Sequence, residues 1–204
     1  MHDKTVVASY NRLADATAAM RDLREADFAE TDLNLLASRS TREGAPDVDV
    51  DDAASSAATG AIAGGALGGA AGLAASLLGL AIPGVGPILA AGPIAAALAG
   101  VGAGAVAGGI VGAFTDVGIS ENDAQVYAES VRRGGAVVTV RTDEARAAQA
   151  EEILDRHDAV DIEERVAEWK RQGWAGYDPD APELSAAQIE AEHAARASNV
   201  RRAL

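Results

Sequence analysis

The chain contains no cysteine, only 3% aromatic residues, and no charged side chain at any position from 53 to 115. Each absence excludes something. Without cysteine there is no disulfide scaffold, no thiolate metal site and no thiol nucleophile. The scarcity of aromatics leaves the uncharged stretch without the Trp and Tyr belts that flank many membrane spans. Basic residues are also short: 17 Lys and Arg against 31 Asp and Glu give a formal charge of −14. That balance argues against nucleic acid, or an anionic membrane surface, as an electrostatically attracted partner. Met1-His2-Asp3-Lys4 lacks the charged n-region and long apolar core of a signal peptide, so the expected location is cytoplasmic. Any membrane association would run through residues 53–115. A length of 204 residues fits one compact domain plus an appended apolar element better than two full domains.

Outside the uncharged middle the chain reads as alternating strands and helices. Thr5-Val6-Val7-Ala8-Ser9-Tyr10 is a strand closed by Asn11, and Leu13, Ala16, Met20 and Leu23 mark one face of a following helix. Asp32–Ala37 supplies a second strand. The same order returns later: Ala136–Val140 as strand, Ala150, Ile153, Leu154 and His157 as a helix face, and Ala159–Ile162 as a short closing strand. At a constant offset of 131 residues, Val6 meets Val137, Val7 meets Val138, Leu23 meets Leu154 and Asp27 meets Asp158. Two similar βαβ halves are what a ferredoxin-like sandwich requires, with both helices on one face of a four-stranded antiparallel sheet. Ser120 is placed to cap a helix with Glu121 and Asp123 in its first turn; Arg132-Arg133 end it and Gly134-Gly135 stop it.

The predicted fold is therefore α+β, a ferredoxin-like βαβ…βαβ sandwich with an inserted helical hairpin and a C-terminal helical tail. Residues 1–38 form the first βαβ half and 39–52 an acidic mobile linker. Residues 53–115 form the hairpin, and 116–163 a helix with the second βαβ half. In 164–204, Trp169, Trp174 and Tyr177 lead to an Ala-rich helix that Ser185 and Gln188 begin as a capping box. As an insertion, the middle is expected to be removable without loss of the fold.

The uncharged middle holds 16 of the 22 glycines. Gly60, Gly64, Gly68 and Gly72 fall four apart, as do Gly100, Gly104, Gly108 and Gly112. That spacing places each set on one stripe of a helix, where another helix backbone can approach closely. Between them Pro83, Gly84, Gly86 and Pro87 predict a tight reversal, giving a helical hairpin whose arms of about 25 residues would be long enough to cross a bilayer. Glycine costs about 0.5–1 kcal/mol relative to alanine in a helix, so close packing has to offset the composition. The partner stripe belongs to the other arm or to a second copy. Large apolar residues are few and the flanks, Asp47 to Asp52 and Asp116, are acidic, which leaves lipid contact and burial between subunits both open.

Several stretches imitate catalytic or ligand motifs. Asp47-Val48-Asp49-Val50-Asp51 begins like a calcium loop, but Asp52 stands where glycine is needed and Ala58 where glutamate is needed. Gly102-Ala103-Gly104-Ala105-Val106-Ala107 has glycines of a dinucleotide loop without a preceding strand or a following lysine. His2, His157 and His193 are far apart, and His157 reads as a satisfied structural histidine. Arg132-Arg133 fit anion holding and helix-end complementarity equally well, and the tryptophans fit packing of the tail better than a recognition surface. No nucleophile stands with a base. No metal, cofactor or catalytic residue is expected.

The N-terminal βαβ unit, the run from Ile82-Pro83-Gly84-Val85-Gly86-Pro87-Ile88 to Pro93, and Gly118-Ile119-Ser120-Glu121 through Tyr127 to Gly134-Gly135 together resemble the bacterial heat-induced general stress protein family, also called YflT-like, over roughly residues 4–163. The resemblance implies a stress-induced bacterial protein and carries no catalytic residue across. The expectation is a non-enzymatic stress-response protein whose glycine-zipper hairpin mediates membrane association or self-assembly. The alternatives are a soluble homo-oligomeric particle with hairpins inside, and a small-molecule sensor built on paired ferredoxin-like sheets.

Overall fold

The computed structural model describes residues 4–38, 78–82, 86–95, 109–182, 184–185, 187–192 and 194. These residues form a mixed helix and sheet structure. In chain order the elements are β1 (Lys4–Tyr10), α1 (Leu13–Glu25), β2 (Leu33–Ser38), β3 (Leu78–Ile82), β4 (Gly86–Ala91), α2 (Gly109–Asp116), α3 (Glu121–Arg132), β5 (Ala136–Thr142), α4 (Glu144–Asp155) and α5 (Ile162–Arg171). The sheet has five strands in the order β1-β5-β2-β4-β3, and every neighbouring pair is antiparallel. β1 and β2, joined by α1, are thus separated by β5, with Val6 opposite Val140 on one side and Leu35 opposite Val138 on the other.

Pleat alternation sends β-strand side chains to two separate cores. On the first face Val6, Ala8 and Tyr10 of β1, Leu33 and Leu35 of β2, and Val138 and Val140 of β5 meet Leu13, Ala16, Met20 and Leu23 of α1 and Ala147, Ala150, Ile153 and Leu154 of α4. The two amphipathic helices do lie on one face. The opposite face is covered as well: Leu36, Ile88, Ala90 and Val137 pack with Ile94, Ile110, Phe114, Val117, Ala124, Ala128 and Val131. Covering on both sides explains why Ala136-Val137-Val138-Thr139-Val140 reads as a continuous apolar run.

The repeat at an offset of 131 survives at the helix ends and fails in the strands. Leu23 and Leu154 are both fully buried on the first face, and Asp27 and Asp158 both take the left-handed conformation, with φ of 59° and 57°. Val6, however, belongs to the first core and Val137 to the second. A one-residue shift between helix and strand therefore separates the halves.

The expected closing strand at Ala159–Ile162 is not there. Asp161 accepts hydrogen bonds from the backbone N–H groups of Glu163 and Glu164 and so caps α5, which begins at Ile162. What remains of strand pairing is one bond, from the Val160 N–H to the Ser9 carbonyl of β1, at 2.7 Å.

The larger correction concerns the middle of the chain. The reversal between Ile82 and Ile88 joins two strands, with Ile82 opposite Gly86 and Ala81 opposite Pro87, so Gly86 and Pro87 belong to β4 and not to a helical turn. Uninterrupted helical arms are therefore broken from Leu78 to Ala91. β2 offers an open edge, and an apolar run bounded by Gly and Pro satisfies its backbone groups there as a strand pair. Gly112 lies in α2. Gly60, Gly64, Gly68, Gly72, Pro83, Gly84, Gly100, Gly104 and Gly108 lie outside the described residues, as does the 39–52 linker.

Gly92 fixes the exit from β4. Its φ is +86°, and a Cβ there would lie 2.1 Å from the Leu33 carbonyl oxygen of β2. The backbone of β2 has no room to retreat, since Asn34 beside it is fully buried and its Oδ1 accepts the Ile94 N–H at 2.9 Å. Gly92→Ala is expected to lose about 3 kcal/mol or more, read from the urea midpoint by circular dichroism. A midpoint unchanged from wild type contradicts the contact.

Candidate functional site

Two features remain once the cores are assigned. They are the anchorage of the uncharged middle and a charged cluster at the end of α3.

The middle is held by both of its described parts. β4 is zipped to β2 from Leu35–Ala91 to Ser38–Ile88, and Ile88 and Ala90 are fully buried on the second face. α2 inserts Ile110, Ala113 and Phe114 into the same core, where the Phe114 ring meets the Tyr127 ring of α3 at 6.1 Å between centroids. The turn after α2 is pinned by the Thr5 hydroxyl, which donates to the Val117 carbonyl at 2.6 Å. Among the described residues no helix is long and apolar enough to cross a membrane.

At the end of α3 Glu129 is buried at 1% exposure, although it is ionisable. Helical spacing puts Arg132 and Arg133 three and four residues on, over the same surface. Arg132 Nε and Nη2 donate to the two carboxylate oxygens, each at 2.9 Å, and Arg133 Nε donates to one of them. The hydrogen bond to Glu129 is the main reason the Arg132 guanidinium is held more firmly protonated than usual. Arg133 Nη1 also donates to Glu192 at 2.7 Å, and its guanidinium lies over the Trp169 ring, 5.2 Å from the centroid. Trp169 is buried at 2% and meets Trp174 edge-on at 5.6 Å. The arginine pair thus neither waits for an anion nor merely complements the helix end: it binds a buried carboxylate and the tail. These contacts pack the tail on α3, and Tyr177 adds to the second core.

The remaining titratable groups do not converge. Burial pushes Tyr127 and Tyr177 up to about 12, and Tyr10, whose hydroxyl donates to the Leu154 carbonyl, higher still, so these phenols stay protonated at neutral pH. Burial also lowers Arg165. His157 meets the Asp22 carboxylate at 2.9 Å and ties the end of α4 to α1, the structural role read from its position. Among the described residues no group of three metal-ligating side chains occurs. The calcium-like run at Asp47–Asp52 and the glycines at 102–107 lie outside the described residues.

Glu129 was missed in the sequence because charge alone marked it as a solvated helix position. The signal was present in its spacing: Glu129 with Arg132 and Arg133 forms an i, i+3, i+4 set at a helix end. No family model matches the chain, and no curated protein or solved structure matches it.

Proposed function

We propose that this is a non-enzymatic assembly protein, in which a rigid helix and sheet domain presents the uncharged Gly/Ala segment for packing against other copies. The observation that carries the reading is the segment itself: 16 glycines within 63 uncharged residues, in a chain whose other parts are dense in charge. A stripe of glycines four apart is useful where backbones touch, and its helix-propensity cost is offset only by such contact. The order β1-β5-β2 is the split βαβ arrangement a ferredoxin-like domain uses, which supports that narrower description of the fold. The stress role rests on the motifs that flank the segment.

The pairing of β2 with β4 argues against a bilayer-spanning hairpin. Ser38 and Ile88 are neighbours in one sheet, so whatever leaves at residue 39 returns to the same side. Two crossings need about 40 apolar residues, one about 20. Residues 53–77 supply 25 uncharged positions and residues 96–108 supply 13. Membrane contact is then limited to the lipid surface, and packing between subunits becomes the stronger use of the glycines.

Replacing Gly64, Gly68, Gly104 and Gly108 by leucine raises both helix propensity and apolarity while filling the proposed contact. Self-association in sedimentation velocity is expected to fall. Liposome flotation reports lipid contact separately. A variant that assembles as well as wild type would sink the glycine-packing reading, because simple hydrophobic clustering predicts that outcome.

A further inference from the structure

Beyond α4 the chain runs back over the outer surface of α3. Gly176 faces Gln125, the Arg132 guanidinium reaches the Pro182 carbonyl at 3.4 Å, and Arg133 holds Glu192 at 2.7 Å with Trp169 beneath it. Positions 125, 129, 132 and 133 form one stripe of the helix, about a third of a turn round from the Ala124, Ala128 and Val131 stripe that faces the sheet. α3 is therefore gripped on two sides, and α2 packs beside it through Phe114 and Tyr127.

Electrostatics make this grip conditional. Residues 162–192 carry eight acidic and three basic residues, a net −5 out of the chain's −14, so strap and domain repel at long range. Besides the buried Trp169 and Ile189, docking depends on a few short contacts, and Arg133 makes two of them, to Glu192 and Trp169. The strap begins just after Val160, whose N–H donates to the Ser9 carbonyl of β1 at 2.7 Å. A like-charged segment tied to α3 largely through one arginine is the kind that opens below the global unfolding free energy.

We propose that residues 162–192 are a releasable strap latched by Arg133, and that its opening uncovers the Gln125–Arg133 stripe of α3, the helix that packs beside α2, where the uncharged segment re-enters the domain. The link to assembly rests on the function proposed above; the latch does not.

The chain's two tryptophans, Trp169 and Trp174, both lie in the strap, so tryptophan emission reports on it alone. In a urea titration of the full chain, tryptophan emission is expected to shift at lower urea than the 222 nm circular dichroism. Glu192→Gln removes one latch charge without touching either core. It is expected to red-shift emission in buffer and to raise acrylamide quenching about threefold, with the dichroism spectrum retained. Sedimentation velocity of the same variant is expected to show more of the large species. Coincident transitions together with unchanged quenching in Glu192→Gln overturn the latch. An opened strap with an unchanged sedimentation profile overturns its coupling to assembly, whereas the leucine variants test assembly on their own.

Discussion

A chain from which residues 53–115 are excised, with the flanks joined by a short Gly/Ser linker, is expected to lose cooperative folding. Read as an insertion, the middle would be dispensable. Its described parts are instead structural: Ile88, Ile94, Ile110 and Phe114 are each buried at 1% or less in the second core. Truncating such a side chain costs about 2–5 kcal/mol, so losing four costs on the order of 10 kcal/mol, comparable to the whole stability of an ordinary domain. Excision also bares the edge of β2, which β4 covers over four residue pairs. Urea unfolding followed by near-UV and far-UV circular dichroism checks this. A sharp single transition in the excised chain would show that the second face closes without its insert.

Glu129→Ala is expected to destabilise the domain by about 3–5 kcal/mol, as removal of one partner from a buried ion cluster does. Arg132 and Arg133 are each only 12% exposed, and both give up their principal acceptor. Their desolvation is then offset by Glu192 and the Trp169 ring at Arg133 and by the Pro182 carbonyl at Arg132. Glu129→Gln retains an acceptor oxygen and is expected to lose less. Equilibrium unfolding of both variants gives the comparison, and an alanine variant within about 1 kcal/mol of wild type would place the arginines in solvent rather than against a buried carboxylate.

Where periodicity was strong, the sequence was legible. α1 and α4 show apolar residues at helical spacing, the Ser120 cap does accept the Asp123 N–H, and Ser185 with Gln188 forms the reciprocal bonds of a capping box. Periodicity was silent in the middle because a short apolar run bounded by Gly and Pro fits a buried strand and a helix end equally well. One cue separated them: the unbroken four-residue glycine spacing stops at Gly72 and resumes at Gly100, and between them positions 76, 80, 88 and 96 are not glycine while Gly79 and Gly86 fall out of register. The short strand at Ala159–Ile162 was overruled by Asp161, a residue whose side chain favours a helix N-terminus over a ladder. Glu129 shows the limit of charge as a burial signal, since its two arginines are local and the tail contacts of Arg133 are not.

The place of β5 between β1 and β2 also sets the order in which the protein can be made. β2 ends at Ser38 and its central neighbour begins at Ala136, so the first two strands emerge from the ribosome with no strand to pair with. At about 5–20 residues per second, the roughly 100 residues between them take about 5–20 s to synthesise. Throughout that interval β1 lacks its partner strand, β2 has at most β4 beside it once residues 86–91 are made, and the uncharged Gly/Ala tract emerges before the central strand. The chain's period of greatest aggregation risk therefore falls during synthesis, and elongation speed over residues 39–135, with any chaperone that shields them, governs how much of the protein reaches its folded state.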